Sequence, residues 1–312
     1  VVSLQSLKGR DFLILKDFTP EELWLLLKTA GHLKTGSYLH RQQEILAGKT
    51  LGMVFAKNST RTRISFEVAM RQLGGYALFL NTQDLQLGRG ETIADTARVF
   101  SRYLDGIMIR TYAHDDVVEL ARYAGIPVIN GLTDWVHPCQ ALADIFTLYE
   151  KKGRVAGLKL AYVGDGNNVA HSLLYGGALF GMRVFVATPP AYRPSSAVVE
   201  EATAIARETG GTVAVVDDPR EAVRGADAVY TDVWVSMGQE AEREERLAVF
   251  RPYQVNAGLM ALADERAVVL HCLPAHKGEE ITEEVFEGPQ SVVFDQAENR
   301  LHVQKAILAM LL

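Results

Sequence analysis

The chain has 312 residues, 48% of them hydrophobic and 22% charged, with a formal net charge of −6. That length suits two domains of ordinary size and the apolar content suits two packed cores, which excludes a disordered chain. The acidic balance excludes a nucleic-acid binder built on a basic face, and two cysteines, Cys139 and Cys272, exclude a bridge-dependent secreted scaffold while leaving room for one disulfide.

The Val1-Val2-Ser3-Leu4 start lacks the pattern of a signal peptide, and no apolar run reaches the length of a membrane span. A soluble cytoplasmic protein without membrane or nucleic-acid partners is therefore expected. The first helix begins at Thr19-Pro20-Glu21-Glu22, a Thr cap followed by Pro at the first helical position. Short apolar runs predict strands near 51–56, 76–81, 106–111 and 127–131, with helices near 61–73, 92–103 and 114–124 between them. A long helix opens at Pro138 and closes at Lys151-Lys152-Gly153, with cations and Gly where a helix end favours them. Strands are expected again near 159–164, 183–188, 212–216, 228–232, 267–272 and 291–294, and a last helix over 297–312. The alternation predicts an α/β protein of two doubly wound domains with mainly parallel sheets, joined by interdomain helices. The first domain spans 1–137, the interdomain helix 138–152 and the second domain 153–296, with the 297–312 helix packing back on the first.

Ser59-Thr60-Arg61-Thr62-Arg63 lies where a strand gives way to an amphipathic helix that Gly74-Gly75 stops. Free N–H groups at a helix start, three hydroxyls and two guanidiniums are the parts of an anion site. An ordinary capped helix is the alternative, but cations in a first turn oppose the macrodipole. Arg110 leaves an apolar strand at the end where α/β sheets bind ligands, a position that also suits a merely solvated Arg. In His137-Pro138-Cys139-Gln140, a His at a helix start is either an inert cap or a neutral imidazole able to polarise a carbonyl.

Gly164-Asp165-Gly166-Asn167-Asn168 resembles the start of a dinucleotide fingerprint, but Val169 and Ala170 fill the region of the third glycine and no acidic residue clearly closes the second strand. An NAD-dependent oxidoreductase is thus poorly supported; a tight turn with two amides able to contact a polar ligand is the other reading. Asp232, followed by Ser236-Met237-Gly238, offers a carboxylate and backbone groups to an amino acid, or is a capped turn. In His271-Cys272-Leu273-Pro274, neighbours on a strand point to opposite faces, so His271 cannot activate Cys272 as a nucleophile. Leu273-Pro274 is a candidate cis bond, and Cys272 alone reads as a small buried residue.

Taken in order, with Gln86-Leu87-Gly88 among them, these motifs resemble the transcarbamoylases, the aspartate/ornithine carbamoyltransferase family, over nearly the whole chain. Ser-Met-Gly and His-Cys-Leu-Pro are the marks of the ornithine-type branch, and both are intact. The resemblance implies a carbamoyl-phosphate domain, then an ornithine domain, in a trimer or a multiple of trimers, with no cofactor or metal. It implies transfer of the carbamoyl group to the δ-amine of L-ornithine, giving citrulline and phosphate in arginine biosynthesis or its reversal. Residues Ser59, Thr60, Arg61, Thr62 and Arg63 would bind the phosphate with Arg110, and Gln86 would reach the phosphate of a neighbouring subunit. His137, Arg110 and Arg300 would address the carbonyl oxygen, while Gln140 and the carbonyls of Cys272 and Leu273 would hold the carbamoyl NH₂. Asn168, Asp232, Ser236 and Met237 would fix ornithine, with Cys272 close to the attacking amine. The competing readings are transfer to another amine, such as putrescine or a modified ornithine, and a non-catalytic binding protein on this fold.

Overall fold

The computed structural model describes residues 7–39, 43–87, 90–236 and 238–312; the Val1–Leu4 stretch, Gly88 and Met237 lie outside them. The chain forms two compact units, one of residues through Ala143 together with Glu298–Leu312, the other of Asp144–Ala297.

In the first unit, β1 (Thr50–Phe55), β2 (Tyr76–Asn81), β3 (Gly106–Arg110) and β4 (Val128–Leu132) pair in parallel in the order β2-β1-β3-β4. Strands β1, β3 and β4 are buried along nearly their whole length, as apolar runs covered on both faces should be. The helices are α1 (Pro20–Tyr38), α2 (Thr60–Gln72), α3 (Ile93–Tyr103) and α4 (His114–Tyr123). Val54, Ile107 and Val128 of the strands pack with Ala97 of α3 and with Val117 and Leu120 of α4. A capping box starts α1: Thr19 Oγ1 accepts the Glu22 N–H at 3.3 Å and a Glu22 carboxylate oxygen accepts the Thr19 N–H at 2.9 Å, a device worth about 1 kcal/mol. The winding reverses between β1 and β3, so the loops after these two strands flank the switch point of the sheet.

Helix α5 spans Pro138–Lys152, the range its sequence signals define. In the second unit, β5 (Lys159–Val163), β6 (Arg183–Ala187), β7 (Thr212–Val216), β8 (Ala228–Thr231) and β9 (Val268–His271) are again all parallel, in the order β7-β6-β5-β8-β9. Its helices are α6 (Asn168–Leu179), α7 (Ser196–Thr209), α8 (Pro219–Val223), α9 (Arg243–Phe250), α10 (Ala257–Met260) and α11 (Glu283–Phe286). From Val169 onward every residue of α6 is buried, and a Cβ on Gly177 would sit 2.2 Å from Val184 Cγ2, so only glycine lets this helix approach β6 so closely. The switch point here lies between β5 and β8.

The strand expected near 291–294 does not form. Ser291 makes one isolated bridge to Val269, and Val293 already opens α12 (Val293–Leu311). The division between units falls inside both α5 and α12. The Glu298–Leu312 part of α12 is tied to the first unit: Lys34 donates to Asn299 at 2.8 Å, and the buried Lys305 ammonium donates to Ser37 at 2.7 Å and Gln72 at 3.0 Å. No helix among the described residues is long and apolar enough to cross a membrane.

Candidate active site

Each unit gathers one group of the expected residues, and each group stands at its sheet's switch point. In the first unit, Ser59 caps α2, its Oγ accepting the Thr62 N–H at 3.2 Å. The N–H groups of Thr60 and Arg61 lie ahead of the intrahelical ladder, as at any helix start. Phe55 and Arg110 are register partners at the ends of β1 and β3, which brings the buried Arg110 to the same end of the sheet. Thr62 is fully buried, and its Oγ1 accepts from Arg300 Nη2 at 2.8 Å. Arg300 also donates through Nη1 to Gln140 Oε1 at 3.2 Å, so residues from α2, α5 and α12 share one guanidinium.

His137 lies against this cluster, 5% exposed. Its backbone carbonyl accepts the Ala141 N–H at 3.2 Å, so it occupies the cap position of α5. Its pKa is held well below the ordinary histidine value, by burial first and then by Arg300, Arg110, Lys57 and Arg61. The imidazole is therefore neutral, as expected, but burial and neighbouring cations account for it more than the helix end does. Cys139 is buried, donates its S–H to the Asn130 carbonyl at 3.5 Å and has its pKa pushed up to about 12 by burial. It is a packed thiol. A lone oxyanion brought to this group would meet several positive charges and a neutral N–H donor.

Two residues of the phosphate motif's neighbourhood stand apart from the cluster. The Arg63 guanidinium stacks 3.7 Å from the Phe79 ring centroid and pairs with Glu67 at 3.7 Å, while its N–H joins the helix ladder to Ser59. Gln86 is exposed in the loop after β2.

In the second unit, Asp232 follows β8 and is 6% exposed. Its Oδ2 accepts from the Asn167 side-chain amide at 2.8 Å; its Oδ1 accepts from the Val233 N–H at 2.8 Å and the Cys272 thiol at 3.0 Å. Burial, then the Asp232 charge, pushes the Cys272 pKa well up, so this sulfur carries a proton and acts as a donor. Both cysteines are free, which answers the disulfide question. His271 is engaged with partners other than Cys272: its Nδ1 accepts the Leu273 N–H at 2.9 Å and its Nε2 faces the fully buried Glu280 at 2.9 Å. Leu273 has φ +62° and the Leu273–Pro274 bond is cis. Asp232, His271 and Cys272 offer ligand atoms within 4.8 Å of one another. With both His271 nitrogens engaged by Leu273 and Glu280, and the Cys272 thiol protonated and bonded to Asp232, they are not a ready donor set for a cation.

Asn167 caps α6, its Oδ1 accepting from Val169 N at 2.9 Å and Ala170 N at 3.2 Å. The donors that would cradle a dinucleotide pyrophosphate are thus already taken, which weakens the oxidoreductase reading further. Asn168 follows in the first turn of α6, and Ser236 lies beyond β8, its N–H donating to Gln239 Oε1 at 3.0 Å. Sequence reading passed over Lys57, buried beside Asp134 at 3.0 Å and contributing to the field on His137; its signal was a Lys two residues after β1. It also passed over Arg246, whose contacts come from residues distant in sequence.

Residues 10–150 match the carbamoyl-P binding domain of aspartate/ornithine carbamoyltransferases, and residues 156–311 match the Asp/Orn binding domain. Together these cover most of the chain, which belongs to the aspartate/ornithine carbamoyltransferase family. Its relatives narrow the comparison to one branch. It is 60% identical to the ornithine carbamoyltransferase of Pyrococcus abyssi, over 98% of this chain and 97% of that one. It is 58% identical to the anabolic ornithine carbamoyltransferase of Pyrococcus furiosus, over 98% of each. The solved structure of ornithine carbamoyltransferase from Pyrococcus furiosus superposes with a TM-score of 0.96 at 58% identity, covering 100% of this chain and 98% of that one.

Proposed function

We infer that this enzyme transfers the carbamoyl group of carbamoyl phosphate to the δ-amine of L-ornithine, releasing L-citrulline and phosphate. The observation that carries the reading is the 60% identity, over 98% of the chain, to an ornithine carbamoyltransferase. The biosynthetic direction, toward arginine, is supported by a relative of 58% identity named as anabolic.

The two groups suit the two substrates. Carbamoyl phosphate is assigned to the α2 start, with Ser59, Thr60, Arg61, Thr62 and Arg110 on its phosphate. His137, Arg110 and Arg300 receive the carbonyl oxygen as negative charge grows on it during attack by the neutral amine. Gln140 takes the carbamoyl NH₂. Arg63 supports the phosphate site through its place in the turn, given its side chain's stacking on Phe79. Ornithine is assigned to Asn168, Asp232, Ser236 and Met237, with the Cys272 thiol near the amine. Fixing both reactants converts an encounter into a first-order step and supplies much of the rate.

The enzyme acts as a cytoplasmic homotrimer on this reading, with Gln86 completing a neighbour's phosphate site. Its support is an apolar surface on α2 and the edge strand β2: Ile64 is 55% exposed, Tyr76 63% and Phe79 37%. Sedimentation at micromolar concentration should return three times the monomer mass or a multiple of it; a monomer would contradict the assembly.

An acceptor panel tests the reaction itself. With carbamoyl phosphate saturating, ornithine should be used with kcat/KM at least about 100-fold above putrescine, since a site built to pair a substrate's polar groups rejects analogues lacking them. Equal or better use of putrescine would overturn the assignment of the acceptor.

A further inference from the structure

Beyond β9 the chain turns tightly at His276-Lys277-Gly278-Glu279. The Glu279 N–H donates to the His276 carbonyl at 2.9 Å, and Gly278 has φ +93° at the position where a type II turn needs it. Gln254 clamps the turn, its side-chain amide donating to the Gly278 carbonyl at 3.0 Å and the Glu279 carbonyl at 2.9 Å. His276 and Glu279 therefore stand at the two ends of one turn, and the next residue, Glu280, is fully buried. His276 Nδ1 lies 4.0 Å from Glu279 Oε2 and 3.8 Å from Glu280 Oε2. One ligand atom from each of the three residues lies within 4.8 Å of the others.

These atoms converge without satisfying one another. Among the described residues neither His276 ring nitrogen makes a hydrogen bond, and the buried Glu280 Oε2 accepts none. A buried carboxylate oxygen left without a donor is costly, so its place calls for a positive partner. Lys277 is turned away, its ammonium 2.5 Å from Glu287 and 3.5 Å from Glu283. The second oxygen of each carboxylate is already engaged. Glu280 Oε1 accepts the His276 N–H at 2.7 Å and faces His271 Nε2 at 2.9 Å, while Glu279 Oε1 pairs with Arg243. Partners of this kind orient metal-ligating carboxylates.

We propose that His276, Glu279 and Glu280 form a site for one divalent transition-metal ion of the zinc type, with water completing its coordination. Nitrogen and oxygen ligands about 2 Å from a central ion stand some 3–4 Å apart, close to the spacing seen here. One imidazole with two carboxylates suits such an ion, whereas magnesium and calcium take sets made of oxygen alone. The His276 side chain is 43% exposed, which gives the ion a way in. Because the same Glu280 carboxylate holds His271, a bound ion braces the chain from His271 to Glu280. None of the three residues is assigned to either substrate, so the test needs no turnover.

Equilibrium dialysis of the full chain against Zn²⁺, after treatment with a chelator, provides that test, with Cys272→Ala removing the thiol of the other cluster. Wild type and Cys272→Ala should each retain about one ion per chain at micromolar free Zn²⁺. His276→Ala and Glu279→Gln, both at partly exposed positions, should fold and bind at least about 10-fold more weakly. Zn²⁺ should raise the melting temperature of the wild type by about 2 °C or more and leave that of His276→Ala unmoved. A wild type that retains no Zn²⁺ would overturn the site and leave His276 as a simple ion-pair partner of the two carboxylates. Zn²⁺ held as tightly in His276→Ala or Glu279→Gln, or lost in Cys272→Ala, would overturn it by placing the ion elsewhere.

Discussion

Two helices begin at the switch points of two parallel sheets, α2 after β1 and α6 after β5, and side chains give these similar backbones opposite characters. At α2 the Ser59 hydroxyl takes one N–H, that of Thr62, and Arg61, Arg110, Lys57 and Arg300 add their charge at His137. At α6 the Asn167 side chain takes two N–H groups, and the nearby ionised groups include Asp165 and Asp232. On the proposed reading the first terminus is left to an anion, while the second has two of its donors capped by Asn167 and offers carboxylate to a cation. Fold alone does not decide what a switch point binds. Capping and the sign of the surrounding charge do.

The contrast can be broken most severely at Arg61. Arg61→Ala should lower kcat/KM for carbamoyl phosphate by roughly 100- to 1,000-fold, because its charge acts on ground and transition states alike. The KM for ornithine should move little. Unchanged efficiency would remove Arg61 from the anion group.

Cys272→Ala probes the other terminus. It deletes one of the three hydrogen bonds to Asp232, so ornithine use should fall by about 10-fold or more while folding is largely kept. A stable, fully active variant would mean that Cys272 is simply a packed residue. Thr62→Val sharpens the first group internally. It removes the Oγ1 acceptor of Arg300, and an unpaired donor in a buried place costs about 1–3 kcal/mol of stability. Chemical denaturation would measure this, and a loss below a few tenths would show that Arg300 repairs its contacts.

The smallest effect concerns protons. His137 stays neutral when folded, because its pKa is depressed by burial and by cations. The unfolded chain takes up that proton below about pH 6.5, so stability falls as pH drops below this value and is unaffected by this group above it. Melting temperatures of the wild type and His137→Asn should converge as pH falls from 7 to 5. A gap independent of pH would mean that His137 protonates equally in both states.

Much of this was legible in sequence because it is local. Nine of ten expected strands formed within a residue or two of the apolar runs that mark them, and Pro138 with Lys151-Lys152-Gly153 bounded α5 correctly. The tenth, near 291–294, failed because Val292-Val293-Phe294 is too short an apolar run to distinguish a strand from a helix start, and α12 begins inside it. The candidate site residues were named one by one, but their wiring was not legible. Arg300 meets Thr62 across 238 positions, and Arg246 meets Asp165 across 81, separations at which no local pattern carries information. Arg63 shows the converse: a motif names it, and stacking on Phe79 redirects its side chain.

On the proposed reading one switch point holds a phosphate and the other an amino acid, and the carbamoyl unit passes from carbamoyl phosphate to the ornithine amine. Carbamoyl phosphate labelled in its carbonyl carbon, mixed with ornithine and the enzyme, measures it directly. Labelled citrulline and phosphate should appear in equal amounts and only when ornithine is present. Phosphate release without labelled citrulline, with both substrates saturating, would contradict it.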